Sequence, residues 1–399
     1  MASQLFTDLL YMRPNKLQFH IHDIDLSIVN SMRRVLLSDI PNVGIRFDPY
    51  NETEHDVTVH VNTGCLHNEF ISHRLSLIPI CMHPNEITNF DKSTSQKFVI
   101  NKKNATNVVM DVSTDDIMVY DHEGLLIQNH KFFPKDYITG APILITKLKP
   151  NLFKKEFGDE LYLEAYATIG TAKDNAAWSP VSMACFYNVV DDVAAKAAFD
   201  VKFKDVTDPE KLKEANDRFN VLEKYQHFQK NNFGEPNHFI FTIESECAMT
   251  PNYLACKALV ILCDKLRTLK ESIAGANEEH VRIQPINEHM HQLLLSQETH
   301  TLGNLLQAQL YNKYIRANKA SELEYVGYLC PHPLEKTIIV KLKFAKGFIT
   351  SDDVLVAWLI DAIDGIYNDL LQITKEWINY SNVNVSEFND IDAFINHIA

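Results

Sequence analysis

Leu26-Ser-Ile-Val-Asn30-Ser-Met-Arg-Arg-Val-Leu36 and His300-Thr-Leu-Gly-Asn304-Leu-Leu-Gln-Ala-Gln-Leu310 share one pattern, 274 residues apart. Each has a hydroxyl residue (Ser27, Thr301), an apolar residue after it, an Asn three positions on from the hydroxyl and a Leu six further. In the first copy Ile28, Met32, Val35 and Leu36 recur at helical spacing, which predicts an amphipathic helix. Asp25 or Ser27 can supply its N-cap oxygen. Ser38-Asp39-Ile40-Pro41 stops it, because the residue before a proline is pushed out of the helical region.

The flanks repeat as well. Lys16–His22 alternates polar and apolar and reads as a strand before the first copy. A long amphipathic helix opens near Thr250-Pro251, where Thr can cap and Pro suits the first turn. Leu254, Ala258, Leu262, Leu266 and Leu269 form its stripe. Around the second copy lie strands at about 289–297, 323–330 and 336–344. A helix then runs from Ser351 to Trp377 with a stripe of Leu355, Leu359, Ala362, Ile366 and Leu370. A repeated unit with an apolar helical face buries that face against its copy. The predicted seam therefore takes Ile28, Met32, Leu36, Leu254 and Leu262 from the first unit. Leu302, Leu306, Leu310, Leu355, Leu359 and Ile366 come from the second.

Between the flanks, β-type runs at 55–62, 97–120, 142–148 and 160–167 predict a β-rich domain. Residues 207–230 turn charged and helical, His238–Ile243 reads as a strand, and the polar 273–288 stretch is the expected linker.

At 399 residues the chain can hold two or three domains. Its formal net charge of −14 repels a polyanion, whereas a dedicated nucleic-acid binder usually carries a basic patch. Seven scattered cysteines suit a reducing compartment rather than a disulfide framework. The opening does not read as a signal or transit peptide, and no run of about 20 apolar residues offers a membrane span.

Two stretches carry a family resemblance. Asn30-Ser-Met-Arg33-Arg34-Val-Leu-Leu-Ser-Asp-Ile-Pro41 and Asn62-Thr-Gly-Cys-Leu-His-Asn-Glu69-Phe-Ile-Ser-His73-Arg74-Leu-Ser-Leu-Ile-Pro79 resemble the α-type assembly subunits of cellular RNA polymerases. These include the third-largest subunit of polymerase II, the archaeal D subunit and the bacterial α subunit. Val112–Ile117, Pro142–Leu148 and Gly170-Thr-Ala-Lys173 through Trp178-Ser-Pro180 resemble the same family. Glu298-Thr-His300-Thr-Leu-Gly303-Asn304 and Val326-Gly327-Tyr-Leu-Cys-Pro331-His332-Pro333 instead resemble the eleventh subunit of polymerase II and the archaeal L subunit. In cells these are separate chains forming a heterodimer. A fusion of the two is the arrangement seen in large DNA viruses, so a viral source is expected.

The resemblance implies an α+β fold. Two related dimerisation modules pack as an intramolecular pseudo-twofold pair, the first interrupted by a β-rich inserted domain. The boundaries expected are 1–47 plus 181–280 for the first module, with a charged helical segment at about 190–236, 48–180 for the insert, 281–380 for the second module and 381–399 for a tail that either docks or frays. The function implied is non-catalytic: a platform for the two largest polymerase subunits and small zinc-binding subunits, touching DNA and RNA only through the complex. The location implied is intracellular, in host cytoplasm and virion for a virus and in the nucleus otherwise.

The residues implied to meet the large subunits are Asn30, Arg33, Arg34, Glu69, His73 and Arg74. By spacing, Arg33 and Arg34 fall about 140° and 240° around the helix from Ile28, off its apolar stripe. A guanidinium fork there suits carboxylates and carbonyls on a partner. Glu69 and His73 could share a helix face as an acid–base pair, but no nucleophile motif lies near them, so docking is the better reading. His20 and His22 point to one face of a strand, as metal ligands sometimes do. With no second pair placed by sequence, they read as polar strand residues. Some relatives hold zinc with four closely spaced cysteines after the Leu-Ile-Pro segment. Only Cys81 stands there in this sequence, so no zinc and no other cofactor is expected. Cys256 and Cys263 read as core residues, and Pro331-His332-Pro333 as a rigid turn between strands.

Two other classes compete. A stand-alone nucleic-acid binder or regulator would need interleaved basic and aromatic residues, which are lacking. A hydrolase or metalloenzyme would need a P-loop, a Gly-x-Ser-x-Gly elbow or a His-Glu-x-x-His, and none is present.

Overall fold

A computed structural model describes residues 4–50, 55–136, 138–151, 153, 158–275, 279–316, 322–348 and 351–398. The chain opens with β1 (Phe6–Arg13), β2 (Lys16–His22), α1 (Leu26–Ser38), β3 (Asn42–Gly44) and β4 (Val57–Asn62). There follow α2 (Asn68–Ser76), α3 (Pro84–Thr88), β5 (Lys97–Lys103), β6 (Met110–Ser113), β7 (Met118–Tyr120), β8 (Leu126–Ile127), β9 (Leu144–Leu148), β10 (Glu160–Tyr166) and β11 (Thr168–Gly170). Next come β12 (Val181–Asn188), α4 (Asp192–Lys202), α5 (Pro209–Leu222), β13 (His238–Ser245), α6 (Pro251–Ala274), β14 (Val281–Asn287) and β15 (Met290–Ser296). The chain ends with α7 (His300–Leu310), β16 (Leu323–Leu329), β17 (Thr337–Phe344), α8 (Asp352–Ser381) and α9 (Asn389–Ile398). This mixture is an α+β fold.

Contacts divide the chain into two compact units. One takes the residues through Leu36, then Met183–Glu244 and Pro251–Val383; the other takes Leu37–Ser182, Ser245–Thr250 and the residues from Asn384 onward.

The first unit holds two four-stranded sheets, ordered β1-β2-β13-β12 and β14-β15-β17-β16. Strand alternation builds each core face. Leu17, Phe19 and Ile21 of β2 are buried, as are Ile338, Val340, Leu342 and Phe344 of β17. Asp25 caps α1, its Oδ1 accepting from the Ser27 amide at 2.8 Å. Helices α6 and α8 pack along each other, and each also reaches the other half's sheet, α6 touching β14 and α8 touching β1. Leu254, Leu262 and Leu266 of α6 are 0% exposed. Burial of this kind is worth about 1.5–3 kcal/mol per leucine. At the far end of α8, Trp377 is wedged against Phe19 and Phe6 at ring distances of 4.5 and 5.0 Å, and its Nε1 donates to the Asn252 carbonyl at 3.0 Å.

The second unit centres on a five-stranded sheet, β4-β10-β5-β7-β8, with two-stranded ribbons β3–β11 and β6–β9. Antiparallel pairing of β3 with β11 draws residues 37–47 into this unit. Trp178, 2% exposed, lies on that ribbon where two glycines face it. A Cβ at Gly44 would lie 2.1 Å from Trp178 Nε1, and one at Gly170 would lie 1.9 Å from Cζ3. Lys173 Nζ pairs with Asp39 Oδ2 at 2.9 Å. The Gly170–Trp178 motif is thus spent on holding the ribbon together.

Several expectations are corrected. The linker is shorter than 273–288: α6 runs to Ala274 and β14 begins at Val281, with 276–278 outside the described residues. Val281 and Ile283 pair with Leu295 and Leu293, and Pro285 is tolerated because β14 is an edge strand. β1 was not foreseen, α4 and α5 lie in the charged helical stretch expected at about 190–236, and α8 extends four residues beyond Trp377. The tail does not fray. Phe388, Ile391 and Phe394 are buried, and Asn85 of α3 holds it through Glu387 O at 2.9 Å and the Asn389 amide at 2.8 Å.

Candidate functional site

The two copies of the repeated pattern form α1 and α7, and polar side chains link them. Arg34 Nε donates to Thr301 Oγ1 at 2.9 Å, Gln309 Nε2 to Ser27 Oγ at 3.1 Å and Asn312 Nδ2 to Asp25 Oδ2 at 2.8 Å. Ser31 Oγ reaches the Thr301 carbonyl at 3.5 Å. The hydroxyl that begins each copy therefore becomes a contact of the other copy's helix. Farther along, Lys265 pairs with Glu298 at 3.3 Å and Lys270 with Asp364 at 2.7 Å. All eleven residues assigned to the seam are buried: Ile28, Met32, Leu36, Leu254, Leu262, Leu302, Leu306, Leu310, Leu355, Leu359 and Ile366.

The two arginines of α1 have separate surroundings. Asn30 Oδ1 accepts from Arg33 Nε at 3.0 Å, which orients that guanidinium along its own helix. Arg34 turns its Nε inward to Thr301. A cleft of about 570 Å³ opens beside this pair of helices, lined by Asp25, Asn304, Asn312, Glu235 and Arg316 among others. Arg316 and Glu235 form a two-pronged ion pair there, with Nη1 to Oε2 at 2.6 Å. The guanidinium holds the Glu235 carboxyl below the usual carboxylate range.

In the second unit α2 carries Glu69 in its first turn and His73 and Arg74 in its last, the order the helix dipole favours. Glu69, His73 and Arg74 are all exposed. Arg74, however, donates to the carbonyls of Ile145 and Leu144, both at 2.7 Å, and so pins β9. Phe70 on this helix and Leu77 at its C-cap stand 60% and 56% exposed. Sequence reasoning missed these two apolar side chains, because only the packing of α2 in the fold shows that they face outward.

A third cluster was also missed. His238 of β13 lies directly opposite His22 of β2, and His20 joins them on the same sheet face. One ligand-capable nitrogen from each lies within 4.8 Å of the others. Burial, then the neighbouring His22 and His20, pushes the His238 imidazole down to about 4; burial and His20 lower His22. The partner for His20 and His22 comes from more than 200 residues away, which spacing within one strand cannot reveal.

The segment after Ile80 offers fewer metal donors. Cys81 is partly buried, and its thiol is pushed up to about 11 by burial and then by Cys247. Even with Cys247 counted there are two thiols, half of the four ligands a structural zinc takes.

No helix among the described residues is long and apolar enough to cross a membrane. A family profile described as the RNA polymerase Rpb3/Rpb11 dimerisation domain matches residues 18–266, and a second of the same description matches residues 291–376. The chain is 27% identical over 294 residues to the DNA-directed RNA polymerases I and III subunit RPAC1 of Saccharomyces cerevisiae, covering 63% of this chain and 82% of that protein. It is 27% identical over 277 residues to the RNA polymerase II subunit RPB3 of Schizosaccharomyces pombe, covering 64% and 82%. Subunit 3 of the Arabidopsis thaliana RNA polymerases II, IV and V is 25% identical over 297 residues, covering 64% and 87%. With two matched regions, the first spanning more than half its length, the chain belongs to the RNA polymerase Rpb3/Rpb11 dimerisation-domain family.

Proposed function

We propose that the chain is a non-catalytic assembly subunit of a multisubunit DNA-dependent RNA polymerase, with both halves of the assembly heterodimer in one polypeptide. One observation carries this reading: α6 of the first matched region packs along α8 of the second, each reaching the other's sheet. In this reading residues 1–47 with 181–280 and residues 281–380 are the two modules, related by a pseudo-twofold axis. Residues 48–180 are an insert in the first, and 381–399 are a tail. A short tether raises the effective concentration of the partners to roughly millimolar, so half-assembled modules would be rare.

The proposed partners are the two largest polymerase subunits and small zinc-binding subunits, with DNA and RNA met only through the complex. Nucleotide addition would reside in the large subunits. Asn30, Arg33 and Arg34 of α1 and Glu69, His73 and Arg74 of α2 would face them. The internal bonds of Arg34 and Arg74 shift the weight onto Arg33 and onto the Glu69, Phe70, His73 and Leu77 surface. No zinc is proposed for the segment after Ile80, since two thiols fall short of a ligand set. A viral source, with function in host cytoplasm and virion, is proposed on the fused arrangement alone.

The test is a tagged pull-down from cells that make the chain, read by mass spectrometry. Two very large polymerase chains should appear in equal amounts with it. Arg33→Glu should fold normally, by circular dichroism, yet lose those chains. Their normal recovery with the variant would refute the role given to Arg33, and their absence from the wild-type pull-down would refute the whole reading.

A further inference from the structure

Three imidazoles converge on the solvent side of the first sheet. Alternation along β2 sends Leu17, Phe19 and Ile21 into the core, leaving His20 and His22 on the opposite face. Residues directly opposite in an antiparallel pair project to the same side, so His238 arrives there too. Its ring lies 4.0 Å from that of His22 and 5.1 Å from that of His20. Among the described residues, no other group of three histidine, cysteine or carboxylate side chains places its ligand atoms this close.

Thr7 Oγ1 lies 2.7 Å from His22 Nε2, and two further neighbours complete the setting. Gln229 Oε1 lies 2.8 Å from His238 Nδ1. An amide oxygen only accepts, so Nδ1 carries the proton and the Nε2 lone pair is turned toward His20, 2.9 Å away. An outer hydrogen bond of this kind orients metal-binding histidines. The second neighbour is Asp8. Pairing of β1 with β2 is irregular between Thr7 and Leu10, and Asp8 itself has a φ of 52°. Strict alternation would send Asp8 away from Thr7. Instead its Oδ2 lies 3.8 Å from His20 Nδ1 and accepts from Thr7 Oγ1 at 3.0 Å.

We infer that His20, His22 and His238 bind one zinc-type divalent ion, with the Asp8 carboxylate within reach of the fourth position. Imidazole nitrogen selects borderline ions such as Zn²⁺ over Mg²⁺ or Ca²⁺, which take oxygen. Bonds of about 2.0–2.1 Å around a tetrahedral ion place two nitrogens about 3.3 Å apart. The 2.9 Å His20–His238 pair need open only slightly, and the rings are partly exposed. The ion would replace an imidazole–imidazole hydrogen bond and join β2 to a strand more than 200 residues later. This inference stands apart from the polymerase reading, since it uses none of the residues assigned to partners.

The test titrates Zn²⁺ alone into chelator-stripped full-length chain near neutral pH, by calorimetry with elemental analysis of the dialysed product. One ion per chain is expected. His22→Ala or His238→Ala should lose it. Gln229→Ala should weaken it on the order of tenfold, and His122→Ala, at an exposed histidine outside the cluster, should leave it unchanged. Should a histidine variant misfold, the wild-type chain provides the readout: Zn²⁺ should shield His20, His22 and His238, but not His122, from diethyl pyrocarbonate, read by peptide mass spectrometry. Absence of uptake by the wild-type chain, uptake that survives in the folded histidine variants, or absence of shielding would overturn the assignment.

Discussion

Trp377 gives the most direct measure of how tightly the two matched regions hold each other. The residue lies on α8 one position past the second matched region, yet its ring is 1% exposed among Phe19 of the first region and Phe6 of the strand before it, and its indole N–H satisfies the Asn252 carbonyl at the start of α6. Replacing a buried tryptophan by alanine costs about 3–5 kcal/mol in lost burial and residual cavity. Phenylalanine keeps much of the ring contact but strands the carbonyl, for about 1–2 kcal/mol. Denaturant unfolding of the intact chain should show these two losses in that order. A sharper assay places a protease site between Gly275 and Glu279, cuts the folded chain and measures how firmly the pieces stay together. Because about 1.4 kcal/mol is a factor of ten, Trp377→Ala should weaken the cut complex roughly a hundredfold or more. The tail helix α9 still grips α3, so retention should fall without vanishing. An unchanged unfolding midpoint for Trp377→Ala, with fragments held as firmly as before, would refute the claim that this wedge joins the two regions.

Two further tests address other parts of the molecule. Gly170→Ala drives a methyl into the Trp178 ring and should destabilise the second unit by about 1–3 kcal/mol, seen as a lowered thermal midpoint; a midpoint equal to wild type would mean that the β3–β11 ribbon gives way freely. Burial pushes the Cys263 thiol up to about 12, so native protein at mildly alkaline pH should be alkylated at exposed Cys65 and Cys185 and spared at Cys263. The same burial has a sign in pH. From about 9 upward the unfolded thiol loses its proton while the folded one keeps it, so this group lowers stability as pH climbs from about 9 toward 12. Labelling of Cys263 as fast as Cys65 would contradict its place in the α6 core.

Much of the fold was legible because helices α1, α6, α7 and α8 announce themselves by apolar spacing, and because the same motif occurs twice. Local pattern also marked β2, β13, β15, β16 and β17. What escaped was information with no period. Arg34 looked like an outward cation by its angle on the helix, and only Thr301, brought in from the second copy, draws it inward. Arg74 is spent on two carbonyls of β9 that lie some seventy residues away. Val281–Asn287 read as linker because its alternation is short and carries Pro285, and only pairing with β15 completes it as a strand.

The sequence by itself determined the repeat, the amphipathic faces and the family, since each is written in the order of neighbouring residues. Which side chains meet across long separations was decided only in three dimensions. The His20–His22–His238 cluster, the Trp377 wedge and the docked tail all depend on sheet register and helix packing, and these are set by the burial of the whole apolar surface rather than by any one stretch of chain.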